Sequence, residues 1–286
     1  MFLPRKILEE KLVKFLAEDI GQGDVTSSVI VPLECTAEAK VIAKAKGVVA
    51  GIEETTVLLE ALGMQVEDRV ADGDEVIQGQ VLLTICGDAA TILTVERTIL
   101  NLLSRMSGIA SATHSLTEKI KKAKLKTRIA ATRKSAPGLL YFDKKAVAIG
   151  GGDAHRLHLD DLILIKDNHI VVAGSLENAL KLANVNASFS KKIEVEVTTP
   201  DDALKVAMLD VDIIMLDNFS PDQIKEAIDL LKKAGLIGKV LLEASGGITS
   251  ENLLDYASAG VDLISLGELT HSVKALDISL EIMNAK

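Results

Sequence analysis

The stretch "IEVEVTTPDDALKVAMLDVDIIMLDNF" (residues 193–219) holds two β-rich runs, 193–197 and 212–216, on either side of an amphipathic segment at 201–208. A strand, a helix and a second strand at this spacing make a right-handed βαβ unit with parallel strands. The same rhythm extends outward in both directions. Further strand-like runs fall at 127–131, 162–166, 240–244 and 262–266, alternating with helix-like segments at 175–184, 221–234 and 250–258. Six strands are legible. A full (β/α)8 barrel needs two more, so the run either closes with unseen strands or stops as an incomplete barrel.

Upstream the rhythm differs. Residues 5–17 read as an amphipathic helix with Leu8, Leu12 and Phe15 on one face, and "GQGDVTSS" (21–28) reads as a polar turn. From Thr36 to about Leu93 short strands alternate, interrupted by one helical stretch at 53–62, which makes a small α+β domain. Residues 92–122 are helical, with a break expected at Ser107-Gly108.

The composition narrows the function. The 286 residues are 48% hydrophobic, yet there is no Trp and only two Tyr and five Phe, so the core is aliphatic and base-stacking platforms are scarce. A net charge of −9 disfavours a polyanion-binding surface. Cys35 and Cys86 lie far apart in apolar surroundings and read as buried thiols. "MFLPRKILEEKLVKF" carries charges throughout, unlike a signal peptide, and no apolar run is long enough to span a bilayer. A cytoplasmic protein is expected.

Active sites of parallel α/β folds sit at the carboxyl ends of the strands. Here those ends carry Arg133 and Lys134, Lys166, Glu194 and Glu196, Asp217, Ser245-Gly246-Gly247 and Gly267. Arg133, Lys134, Arg156 and Lys166 supply cations in an acidic protein. Glu196 and Asp217 suit Mg²⁺ or sugar hydroxyls, and the glycines offer backbone N–H groups ahead of helices for a phosphate. Together they suit a phosphorylated sugar with further anionic groups, such as a phosphoribosyl donor. Each feature also has a plain explanation. A Ser-Gly-Gly before a helix is often only a turn, and Arg133 and Lys134 could be a solvated strand end. Glu194 is expected on the surface or facing a helix, with Glu196 alone turned inward.

At "TRKSAPGL" (132–139), "GGGDAHRLHLDDLILIKDNHI" (150–170), "IEVEV" (193–197), "MLDNFSP" (215–221), "EASGGI" (243–248) and "GELTHSVKALDISLEI" (267–282) the sequence resembles the quinolinate phosphoribosyltransferases. "EDIGQGDVTS" (18–27) and "VERTILNLLSRMSGIA" (95–110) resemble them too, so the likeness runs nearly end to end. The resemblance implies an N-terminal α/β sandwich domain (1–110), with a C-terminal helix at 271–286 packing on it. It implies an incomplete, about seven-stranded α/β barrel (111–270) that carries the active site. It also implies a homodimer or higher homo-oligomer, and the conversion of quinolinate and phosphoribosyl pyrophosphate to nicotinate mononucleotide, pyrophosphate and CO₂ with Mg²⁺.

By the same resemblance Arg97, reaching in from a neighbouring subunit, binds quinolinate with Arg133, His155 and Arg156. Lys134 and Lys166 serve catalysis and the phosphates, and Glu196 and Asp217 serve metal and ribose. Ser245, Gly246, Gly247, Gly267 and His271 form phosphate loops. Two positions depart from the family pattern: Ala131 stands where Asp usually precedes "TRK", and Leu140 where Arg is common. Gly150 to Gly152 then read as a flexible turn delivering His155 and Arg156. Rival schemes are a Schiff-base aldolase on Lys166, a metal hydrolase using His155, His158, Asp160, Asp161 or His169, and a binding module without turnover.

Overall fold

The computed structural model describes residues 3–286. The chain divides into two compact units: Met1–His114 with Lys145–Gly150 and Val273–Lys286, and Ser115–Lys144 with Gly151–Ser272.

The first unit opens with α1 (Arg5–Ile20), which buries Leu8, Leu12 and Leu16; Leu16, not Phe15, completes the apolar stripe. The expected turn at 21–28 holds only to Asp24; α2 (Val25–Ile30) begins there, because the Asp24 carboxylate accepts the Ser27 N–H at 3.0 Å and caps it. Then come β1 (Thr36–Ala43), β2 (Gly47–Val48), α3 (Ile52–Ala61), β3 (Gln65–Asp68), β4 (Glu75–Val76) and β5 (Val81–Asp88). Both cysteines are free and half-buried, more exposed than expected.

Helix α4 (Ala89–Lys122) runs 34 residues without a break. Gly108 is a close-approach position: a Cβ there would lie 2.3 Å from the Lys274 carbonyl oxygen. Gly150 is likewise packed, its missing Cβ facing the Ala110 carbonyl oxygen at 2.5 Å, so it is no flexible turn. Lys145 is buried against Glu54 (2.7 Å), Glu53 and Asp72. The C-terminal segment expected as a helix is a strand. Ile278, Leu280 and Ile282 alternate with polar residues, a period of two and not 3.6.

The second unit carries β6 (Arg128–Ala131), α5 (Leu140–Ile149, shared with the first unit), β7 (Ile163–Ile165), α6 (Asp167–Ala173), α7 (Leu176–Asn186) and β8 (Ile193–Val197). It continues through α8 (Pro200–Ala207), β9 (Ile213–Asp217), α9 (Pro221–Lys233), β10 (Leu241–Ser245), α10 (Leu253–Ala259), β11 (Leu263–Leu266) and α11 (Glu268–His271). The final strand, β12 (Ile278–Ala285), belongs to the first unit, whose antiparallel sheet runs β12-β1-β5-β3.

The barrel sheet runs β6-β11-β10-β9-β8-β7, every pair parallel. Asp153 adds one bridge beside Ala130 on the far edge of β6. Two residues on, His155 lies 3.0 Å from Glu243 of β10 and 3.6 Å from Glu194 of β8. A segment hung on β6 reaches strands two and four places away only if the sheet curls. The result is an open barrel of six strands with a one-residue bridge in the seventh place, as expected of an incomplete, about seven-stranded barrel.

One face of this sheet, including Ile129, Val195, Ile214, Leu242 and Ile264, packs on the helices in a single apolar core. The other face lines the barrel. Residues i and i+2 of a strand share a face, so Glu194 and Glu196 both point inward and Glu194 sits one layer deeper. It is fully buried, not surface or helix-facing.

Candidate active site

The carboxyl ends of the strands bring the cations and carboxylates together. Lys166 ends β7 and its ammonium pairs with Glu196 on the adjacent β8. The Lys166 backbone N–H donates to His169 Nδ1 at 3.0 Å, so His169 anchors the strand end and is no metal ligand here. Asp217 ends β9, and its Oδ2 accepts from Asn218 Nδ2 at 2.7 Å. Burial pushes the Asp217 carboxyl above its usual range, and the charge of Glu196 adds to this.

The glycine loops are shaped by close approach. Gly246 has φ +92°, and a Cβ there would sit 2.2 Å from Asn218 Oδ1. The N–H groups of Gly246, Gly247 and Gly267 donate to no backbone acceptor among the described residues. Gly267 precedes the four-residue α11 directly. Ser245-Gly246-Gly247, however, is followed by a loop before α10 begins, not by a helix as expected. At Gly267 a Cβ would meet His271 at 2.9 Å and Lys134 at 3.3 Å. Thr270 Oγ1 donates to the Lys134 carbonyl at 2.8 Å, tying this loop to the one that follows β6.

The remaining cations come from the gap in the barrel. Arg133 and Lys134 are exposed past β6, while His155 and Arg156 follow the Asp153 bridge. Arg156 Nε is buried and has no hydrogen-bond partner among the described residues. Burial lowers the Arg156 pKa, with the nearby Arg133 charge next. Burial alone would lower the His155 pKa too; the close Glu194 and Glu243 carboxylates overcome this and carry it up to about 10. Lys144, fully buried, donates to the carbonyls of Ala131 (2.8 Å) and Ala154 (2.6 Å). These carbonyls immediately precede the two cation-bearing loops. Burial lowers the Lys144 pKa to about 8.

The chain matches two family profiles, "Quinolinate phosphoribosyl transferase, N-terminal domain" over residues 24–107 and "Quinolinate phosphoribosyl transferase, C-terminal domain" over residues 109–281. The chain belongs to the quinolinate phosphoribosyltransferase family. It is 43% identical to the probable carboxylating nicotinate-nucleotide pyrophosphorylase of Methanothermobacter thermautotrophicus over 96% of this chain and 98% of that one. Identity to the carboxylating nicotinate-nucleotide pyrophosphorylase of Mycobacterium leprae is 39% over 93% of this chain and 94% of that one. Among solved structures, NadC from Streptococcus pyogenes superposes with a TM-score of 0.90 at 35% identity, covering 99% of this chain and 100% of that one.

Within this family fold, Lys134, Lys166, Glu196, Asp217, Arg133, His155, Arg156, Ser245, Gly246, Gly247, Gly267 and His271 all lie in the second unit. Arg97, expected to serve a neighbouring subunit's site, is exposed on α4 in the first unit. His158 is exposed, its backbone N–H donates to Asp161 Oδ2 at 2.9 Å, and its side chain clusters at the surface with Asp160 and Asp161. The sequence left Lys144, Glu194, Glu243 and Asp153 out of the site. A charge inside the apolar run "VLLEA" was the available signal for Glu243.

Proposed function

We propose that the chain transfers phosphoribose from phosphoribosyl pyrophosphate to the quinolinate nitrogen and releases pyrophosphate, CO₂ and nicotinate mononucleotide. The observation that carries this is the buried, unpartnered Arg156 Nε beside Arg133 at the barrel gap. Planar guanidinium groups bind carboxylates through parallel hydrogen bonds, and quinolinate has two adjacent carboxylates. Arg133 and Arg156, with His155, would orient the ring so that its nitrogen faces the anomeric carbon. Departure of pyrophosphate leaves positive charge on the sugar, which Glu196 and Asp217 would stabilise. Lys134 and Lys166 would neutralise the leaving group, and the N–H groups of Gly246, Gly247 and Gly267, beside Ser245 and His271, would hold phosphate oxygens. Alkylation of the ring nitrogen makes the ring an electron sink, so the adjacent carboxylate leaves readily.

Mg²⁺ fits the carboxylate pair. Glu196 Oε1 and Asp217 Oδ1 take no hydrogen bond or ion pair from the described residues, and two hard oxygens suit an ion that keeps waters and substrate phosphates. Bound there, Mg²⁺ would supply electrostatic stabilisation of the pyrophosphate. Arg97 is assigned to a neighbouring subunit's site, which calls for a dimer at least. No helix among the described residues is long and apolar enough to cross a membrane.

The deciding experiment incubates the protein with quinolinate, phosphoribosyl pyrophosphate and Mg²⁺, with nicotinate in parallel. Nicotinate mononucleotide and CO₂ from quinolinate alone is the expected result. Turnover of nicotinate in preference, or of neither, would reject the assignment.

A further inference from the structure

Beneath the barrel mouth lie two buried carboxylates that the transfer chemistry does not use. Glu194 and Glu243 reach inward from β8 and β10 and are fully buried, and no hydrogen bond from the described residues meets standard geometry at any of their four oxygens. The His155 imidazole faces both, with Nε2 3.6 Å from Glu194 and 3.0 Å from Glu243. Its side chain is 10% exposed. The backbone is held to deliver it: His155 has φ +45°, a left-handed conformation rare outside glycine, and its N–H donates to Asp153 Oδ1 at 2.8 Å. Strain of this kind persists where the surroundings fix a side chain for a purpose.

We propose that Glu194 and Glu243 are positioning residues that hold His155 as a standing imidazolium, so that it serves the anion clamp as a fixed cation and never as an acid or base. Two buried carboxylates facing one imidazole favour its charged form over burial, consistent with a pKa near 10. The imidazolium also occupies the carboxylates. Arg156, the next residue, feels Glu194 as well as Arg133 and Asp161. With His155 charged, the Arg156 guanidinium stays free for substrate and does not fold onto Glu194. The other charges around the cluster are Lys144, which feels Asp153, Glu243 and Arg133, and Lys166, which feels Glu194.

The substrate half of the proposal rests on the quinolinate assignment. The charge half does not, and it is tested on the wild-type protein by ¹⁵N NMR of labelled histidine, with the His155 signal identified by its loss in His155→Gln. An imidazolium signature persisting to about pH 8.5 is expected; a neutral ring there overturns the proposal. In Glu243→Gln, kcat/KM for quinolinate should fall about tenfold between pH 6.5 and 9, through KM, while wild type shows no such fall and KM for the phosphoribosyl donor holds. Identical pH profiles would overturn it. So would a stoichiometric metal ion in the purified protein that is lost in Glu243→Gln. An imidazolium in a protein with no quinolinate turnover would support the charge assignment and reject the substrate.

Discussion

Arg156 is the residue at which binding and stability separate most cleanly. Its Nε has no protein partner, so removing it strands no protein acceptor. Arg156→Met is expected to raise KM for quinolinate about 100-fold, on the order of 2.7 kcal/mol, with the melting temperature little changed. Steady-state kinetics and a thermal melt on the same sample check both halves. Charge reversal at Arg156 should abolish quinolinate binding outright while leaving the fold intact; retained affinity would remove this arginine from the clamp. Lys144 is the opposite case. Lys144→Met would leave the Ala131 and Ala154 carbonyls without their donor in a buried place, so it should cost stability as well as affinity, about 1–3 kcal/mol in a denaturant titration.

At the scale of elements, two glycines make a controlled comparison. Gly246→Ala would press a Cβ onto Asn218, which holds the Asp217 carboxylate, at a φ that disfavours alanine. It should lower kcat/KM for the phosphoribosyl donor at least tenfold, with pyrophosphate release as the readout. Gly108→Ala presses on the Lys274 backbone instead and should cost about 1–3 kcal/mol of stability with both KM values unchanged. The barrel strands were legible because short apolar runs alternating with amphipathic helices point to a parallel sheet covered by helices. β8 is read to the residue. The C-terminal strand was missed although it carries a period-two alternation, because its outer face is exposed and β1, its partner, lies far away in sequence. Tertiary pairing, not local preference, decides such an element. In the site, chemistry at strand ends was visible, since loops declare their polar residues. The buried support was not. Glu194, Glu243 and Lys144 act through partners brought from other elements, and only Glu243, a charge inside the apolar run "VLLEA", carried a local signal.

For the whole molecule, two buried bases pull the pH dependence of stability in opposite directions. His155 titrates near 10 in the folded chain against an ordinary 6.5, so its contribution is complete below 6.5 and is lost as pH rises through 10. Lys144 titrates near 8 against 10.5, so its contribution is complete above 10.5 and is lost as pH falls through 8. Each slope is at most about 1.4 kcal/mol per pH unit. From these two groups, stability should fall between pH 6.5 and 8, then level off towards 10 where the slopes cancel. In Lys144→Met the fall should continue to 10, and urea midpoints across that range would show it. The placement of β12 has a further consequence, one of timing. β1 ends at Ala43 and its outer partner begins at Ile278, so the first unit's sheet cannot be completed until most of the chain has been made. At about 5–20 residues per second, a ribosome would leave the β1 edge bare for roughly 10–50 s. During that interval an unpaired strand edge can capture another nascent chain, so the cell's holding chaperones have their clearest work on this protein before its last strand emerges.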